Sequence, residues 1–101
     1  MASMTGQIVL AAGEKKSLAA GLQNTETSDT AFSLFFQQLI IQNNGSNSAR
    51  LGDVTVDATH GIVLGASGST NAGSFINYGS YIQDWFVFST AGTTIDFLYV
   101  K

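Results

Sequence analysis

Residues 81–101 read YIQDWFVFSTAGTTIDFLYVK. Two aromatic and β-branched runs flank Ser89-Thr90-Ala91-Gly92-Thr93, a small polar linker with one glycine. That is the pattern of a β-hairpin closed by a short loop. In the first run Trp85 and Val87 fall on one face of a strand, and Phe86 and Phe88 on the other. A strand with one wet face alternates apolar with polar residues, so an apolar run on both faces calls for cover on both sides. In a chain of 101 residues the core covers one face. The other requires a second sheet, a loop or another subunit.

Working back from this stretch, the chain breaks into short strands and turns. Ser74–Tyr78 is a short strand, and Gly79-Ser80 turns the chain into the final pair of strands. Gly65–Gly73 (GASGSTNAG) is a glycine- and serine-rich loop. Ile62–Leu64 is a strand entered through the turn Thr59-His60-Gly61. Arg50–Val56 is a strand with Val54 and Val56 in alternation, bent at Gly52-Asp53. Asn43-Asn44-Gly45-Ser46-Asn47 is a turn, with Asn-Gly supplying positive φ angles.

The segment Ala31–Gln42 (AFSLFFQQLIIQ) is ambiguous. Phe32, Phe35, Phe36, Leu39 and Ile40 fit a helical template, with Asp29 or Thr30 as N-cap. Its aromatic and β-branched content and loop-like flanks favour a strand. Gln23–Thr30 is a polar loop. Gln7–Ala12 is a first strand, ended by Gly13-Glu14-Lys15-Lys16, and Ser17–Leu22 a weaker second strand anchored by Leu18 and Leu22. About eight short strands with regular turn signals predict an all-β, compact sandwich or jelly-roll-like single domain over residues 1–101.

Composition narrows the function classes. There is no cysteine, so a hydrophobic core must carry stability without disulfides or thiolate metal sites. Charged residues make up 11% of the chain, against about 25% in an average soluble domain. Ser, Thr, Asn and Gln, 33 residues together, take their place. Such a surface suits packing into an assembly and does not suit steering a charged ligand. A net charge of −3 argues against nucleic acid as a partner. The longest near-apolar run, Phe32–Ile41, is too short to span a membrane. The N-terminus lacks a basic region, and Ile8–Ala12 is too short for the apolar core of a secretory signal.

Candidate chemistry is sparse. His60 is the one histidine, with Asp57 three residues before it, but neither a positioned nucleophile nor oxyanion donors accompany it. A turn histidine is the expectation. The acids Glu14, Glu26, Asp29, Asp53, Asp57, Asp84 and Asp96 are scattered and form no calcium loop. Gly65–Gly73 lacks the Gly-Lys-Ser/Thr of a phosphate cradle. No catalytic residue, metal site or cofactor is therefore expected, and no enzymatic activity. Tyr78, Tyr81 and Trp85 lie close in sequence. They suit either a sugar-stacking platform or a core and subunit interface, and the second reading is favoured. Trp85, Phe86, Phe88 and Phe97 are the main candidates for core and oligomer contacts.

Arg50-Leu51-Gly52-Asp53, Val54-x-Val56, Thr59–Leu64, Asp84-Trp85-Phe86-Val87 and Thr90–Val100 together resemble a group of small virion proteins of tailed bacteriophages. In that group an R-x-G-D-x-x-V segment and a G-x-x-L segment precede a hydrophobic strand, a T-A-G turn and a closing strand. The resemblance spans residues 50–100, about half the chain, and its motifs are turns and strands. It implies a structural role: a decoration or cement protein on the outer capsid surface, or a tail or fibre part. The implied partners are the major capsid protein and further copies of the chain.

Overall fold

A computed structural model describes residues 3–22 and 35–100. Among the described residues ten strands run in chain order: β1 (Ser3–Leu10), β2 (Glu14–Ser17), β3 (Phe35–Phe36), β4 (Gln38–Asn43) and β5 (Ala49–Gly52), followed by β6 (Ile62–Leu64), β7 (Gly73–Ile76), β8 (Ser80–Tyr81), β9 (Phe86–Ser89) and β10 (Thr93–Val100). Eight of them form two antiparallel four-stranded sheets, ordered β1-β10-β4-β7 and β2-β9-β5-β6. The two shortest, β3 and β8, form a separate ribbon.

This order defines the topology. β1 pairs with β10, β2 with β9, β4 with β7 and β5 with β6. The eight strands thus form one long antiparallel pairing folded back at β5–β6 and rolled up so that the chain passes between sheets at every step but that one. Eight strands wound in this way make a jelly roll. The expected class and sandwich architecture hold, with the β3–β8 ribbon added.

The two inner faces share one core. Ile8, Leu10, Leu39, Ile41, Ile76, Ile95, Phe97 and Tyr99 face inward from the first sheet, and Ala49, Leu51, Leu64 and Val87 from the second. β10 shows why: Thr93, Ile95, Phe97 and Tyr99 are buried, while the residues between them are half-covered. A period of two puts every second side chain on the core face. β10 is the spine of its sheet, running in register with β1 from Ser3↔Val100 to Leu10↔Thr93 and with β4 on its other side.

The final hairpin expected from residues 81–101 does not form. β9 and β10 lie in different sheets, and Thr90-Ala91-Gly92 carries the chain across the edge of the sandwich. Ser89 pins this crossing: its Oγ donates to Ser48 O at 2.8 Å and accepts from Gly92 N–H at 3.0 Å. Gly92 has φ +90, and a Cβ there would lie 2.8 Å from Leu10 O. A glycine is needed at this corner, but for a change of sheet.

Other departures have local causes. Glu14, Lys15 and Lys16, expected within the turn that ends the first strand, belong with Ser17 to β2, an edge strand beside β9. Ser17–Leu22, expected as a strand, is a 3-10 turn over Leu18–Gly21 capped by the Ser17 hydroxyl, which accepts from Ala19 N–H at 3.2 Å. Leu18 is buried there and Leu22 packs partly on the core. Of Ala31–Gln42, the described part is strand except for a bend at Gln37, forming β3 and all but the last residue of β4, while residues 23–34 lie outside the described residues. β5 stops at Gly52, because the Asp53 carboxylate accepts from Thr55 N–H at 2.8 Å and turns the chain. Val54 is consequently exposed, and Val56 is buried from a loop.

The Asn43–Asn47 turn exists without positive φ at Asn44 or Gly45. Gly45 serves a different need: a Cβ there would sit 1.9 Å from Thr93 Oγ1.

Candidate interaction surfaces

Three surfaces stand out: the outer faces of the two sheets and an aromatic cluster at one end of the sandwich. On the first sheet, register aligns Phe75 of β7, Ile40 of β4, Leu98 of β10 and Thr5 of β1 in one row. Phe75 is 56% and Ile40 47% exposed. The adjacent row holds Gln42, Asp96 and Gln7, with Gln7 Nε2 donating to Asp96 Oδ1 at 2.8 Å. A shallow groove of about 420 Å³ runs between these rows, lined by Thr5, Gln7, Ile40, Gln42, Asp96 and Leu98 among others.

On the second sheet the outward row is Lys15, Phe88, Arg50 and Val63. Phe86 follows in the next outward position, beside Ser17 and Gly52. Phe86 and Phe88 are half-buried and Val63 is exposed. Lys15 Nζ donates to Val54 O, and Arg50 Nη1 donates to Gly61 O at 3.1 Å. These bonds hold the two cations in place without neutralising them. A dimple of about 130 Å³ opens beside Arg50 and Phe88, walled by Ala58, Val63 and Thr90.

The aromatic cluster gathers at the β3–β8 ribbon. Trp85 caps the 3-10 turn Ile82–Asp84 and packs against the core. Its ring lies 6.3 Å from both Phe36 and Tyr78, and its Nε1 donates to Ser80 Oγ at 3.1 Å. Phe35 meets Tyr81 edge to face at 5.2 Å. Phe36 is fully buried, whereas Tyr78 is 56% and Tyr81 38% exposed.

The candidate residues therefore separate. Phe97 lies in the core and Trp85 at its margin. Phe86 and Phe88 face outward on the second sheet, and Tyr78 and Tyr81 belong to the aromatic end. The outer row of the first sheet was not singled out by sequence reading. Its signal was the alternation in Gln38–Asn43, where Ile40 occupies an outward position between Gln38 and Gln42.

The Asp57–His60 pair forms a self-contained turn. Asp57 Oδ1 accepts from Thr59 N–H at 2.9 Å and His60 N–H at 2.8 Å, and His60 Nδ1 lies 2.8 Å from the same oxygen. The Thr59 backbone N–H and then the His60 side chain hold the Asp57 carboxyl well below the usual aspartate range. A carboxyl observed by NMR titration should thus have its midpoint below the ordinary value. His60→Ala should raise that midpoint while the Thr59 bond keeps part of the shift. Because the folded value is depressed, any stability linked to this group is present above the unfolded aspartate pKa of about 3.9 and is lost as pH falls. An unshifted midpoint would contradict the turn geometry. Among the described residues no cluster of three or more His, Asp or Glu could hold a metal ion.

No family model matches the chain, and no curated protein matches it. Among solved structures, the chain is similar to the coat protein of Tobacco streak virus, with a TM-score of 0.43 and 7% identity over 100% of this chain and 88% of that one.

Proposed function

We propose that this chain is a non-enzymatic structural protein of a virus particle. The specific reading is a decoration or cement protein of a tailed bacteriophage, seated on the outer capsid surface against the major capsid protein. The observation that carries the proposal is the pair of apolar outer faces. An antiparallel sheet with one wet face turns polar side chains outward. Here Phe75, Ile40 and Leu98 face outward from one sheet and Phe86, Phe88 and Val63 from the other. Exposed apolar rows rimmed by amides and hydroxyls are what a protein surface needs to pack against others. Jelly rolls recur in viral capsid and lectin domains, which supports the reading by analogy alone.

The mechanism is passive. Each copy contacts its neighbours and the shell through shape and hydrogen bonds, and many equivalent copies convert weak contacts into avidity. A clamp that binds the assembled shell stabilises it by mass action.

The aromatic end favours a second reading, a tail or fibre module that stacks host surface sugars on Tyr78 and Tyr81. Copy number distinguishes the two, measured by quantitative mass spectrometry of density-purified particles. Copies comparable to the major capsid protein are expected. A handful per particle, with glycan-array binding lost in Tyr78→Ala or Tyr81→Ala, would establish the tail reading instead. Absence from particles would overturn both.

A further inference from the structure

We propose that the outer face of the β1-β10-β4-β7 sheet docks on the outer face of the β2-β9-β5-β6 sheet of a second copy, with Asp96 opposite Arg50. This deepens the assembly reading and rests on it.

Charge placement points to this occupant. Asp96 lies beside the apolar row of the first face, so any partner covering that row also desolvates the carboxylate. A buried carboxylate without a cation is strongly destabilising, so the partner must supply one. The chain has four cationic side chains, Lys15, Lys16, Arg50 and Lys101. Lys15 and Arg50 both stand on the outer face of the opposite sheet, flanking Phe88. Pairing the first face with itself would bring two Asp96 rows together with no unpaired cation from that face among the described residues, since Lys16, at the edge beside Val9 O, is paired with Glu14 at 3.6 Å. Pairing the second face with itself would oppose Lys15 and Arg50 to their own copies. Pairing unlike faces places the carboxylate against the guanidinium and the apolar row of the first sheet against Phe86, Phe88 and Val63 of the second.

Shape agrees. Arg50 and Phe88 border a dimple of about 130 Å³, and Phe75 and Ile40 project from the other face. An apolar side chain seated in a pocket at the centre of a contact is how interfaces concentrate their affinity. Strands about 4.8 Å apart give the first sheet a face on the order of 400 Å² and the second, whose strands have three or four residues, a face of roughly 250 Å². Together they stay below the roughly 1,000 Å² of specific stable interfaces, so a single contact is weak. Many such contacts are strong, as a repeating shell requires. The contact is heterologous, so it extends head to tail into a ring or a chain.

Sedimentation velocity of the purified chain over a concentration series tests this. The wild type should form concentration-dependent oligomers that high salt weakens. Asp96→Arg blocks one face and Arg50→Glu the other, so each variant alone should stay monomeric. Mixed in equal amounts they should recover concentration-dependent oligomers, since the two intact faces meet and the two reversed charges again oppose each other with opposite sign. Ile40→Glu and Val63→Glu form a second pair to use if either charge variant fails to fold, as judged by circular dichroism. Oligomers of Arg50→Glu equal to those of the wild type would overturn the proposal, because only a contact not using that face could form them. A wild type that remains monomeric at millimolar concentration would also overturn it. If that monomer were still abundant on particles, the assembly role would stand and the contact between copies would fall.

Discussion

Replacing Asn43 by alanine is expected to lower the unfolding free energy by roughly 3–5 kcal/mol, a large share of the 5–15 kcal/mol typical of a small domain. Asn43 is fully buried at the end of β4, where both sheets and the β4–β5 crossing meet. Its Nδ2 donates to Asn47 O at 2.7 Å and to Leu64 O at 3.1 Å. Its Oδ1 accepts from Gly45 N–H at 3.0 Å and Thr93 Oγ1–H at 2.8 Å. Leu64 belongs to the second sheet and Thr93 to the first, so one amide ties the layers together across the core edge. Truncation removes all four bonds and leaves buried backbone groups without partners, each at about 1–3 kcal/mol. Some of that loss is recovered by water at the edge, which sets the lower bound.

Thr93→Val is the control, because it removes one of the four bonds and keeps the shape. Its cost should be about 1–2 kcal/mol. Urea melts of the three proteins decide the matter, read as midpoint shifts at constant slope. An alanine variant within about 1 kcal/mol of the wild type would show that the amide is not the tie described.

Asn43 also marks where sequence reading stopped. Asn-Asn-Gly reads as a turn because amides and glycine favour turns, and the turn is there. That one of these amides turns inward is set by strands far away in the chain, and no local pattern carries it. The same division runs through the fold. The alternation in Thr93–Val100 and Gln38–Asn43, not drawn on in reading the sequence, marks which side chains face the core, since a period of two reports the face of a strand. It does not report the partner. A three-residue linker such as Thr90-Ala91-Gly92 serves a hairpin or a crossing between sheets equally well, and here it crosses. β2 escaped notice because Lys15 and Lys16 are poor strand formers, although lysines are one way an exposed edge strand is guarded against pairing with other chains. The interaction surfaces were half legible: Phe86 and Phe88 announced an outward apolar face, whereas the Phe75–Ile40–Leu98 row exists only through register between three strands.

Register also sets the second large effect, which is best read as a double-mutant cycle. Gly6 of β1 lies directly opposite Phe97 of β10, and the Phe97 ring fills the space a side chain at Gly6 would occupy. A Cβ at Gly6 would lie 2.2 Å from Phe97 Cζ and 2.8 Å from Gly21 O. Phe97→Ala alone should cost about 3–5 kcal/mol, as the core loses a ring that stacks on Tyr99 at 6.5 Å. Gly6→Ala alone should cost about 1–3 kcal/mol, through crowding rather than a cavity. In the double variant the new methyl enters the space the ring has left, so the combined cost should fall short of the sum by about 1 kcal/mol or more. Recovery cannot be complete, because Gly21 O stays close and a methyl does not replace a phenyl. Denaturant melts of the four proteins supply the coupling. Additivity within about 0.5 kcal/mol would mean that the two positions do not share that space. A clear shortfall would mean that an absent side chain on the edge strand and a large one on the spine strand are two halves of one packing decision.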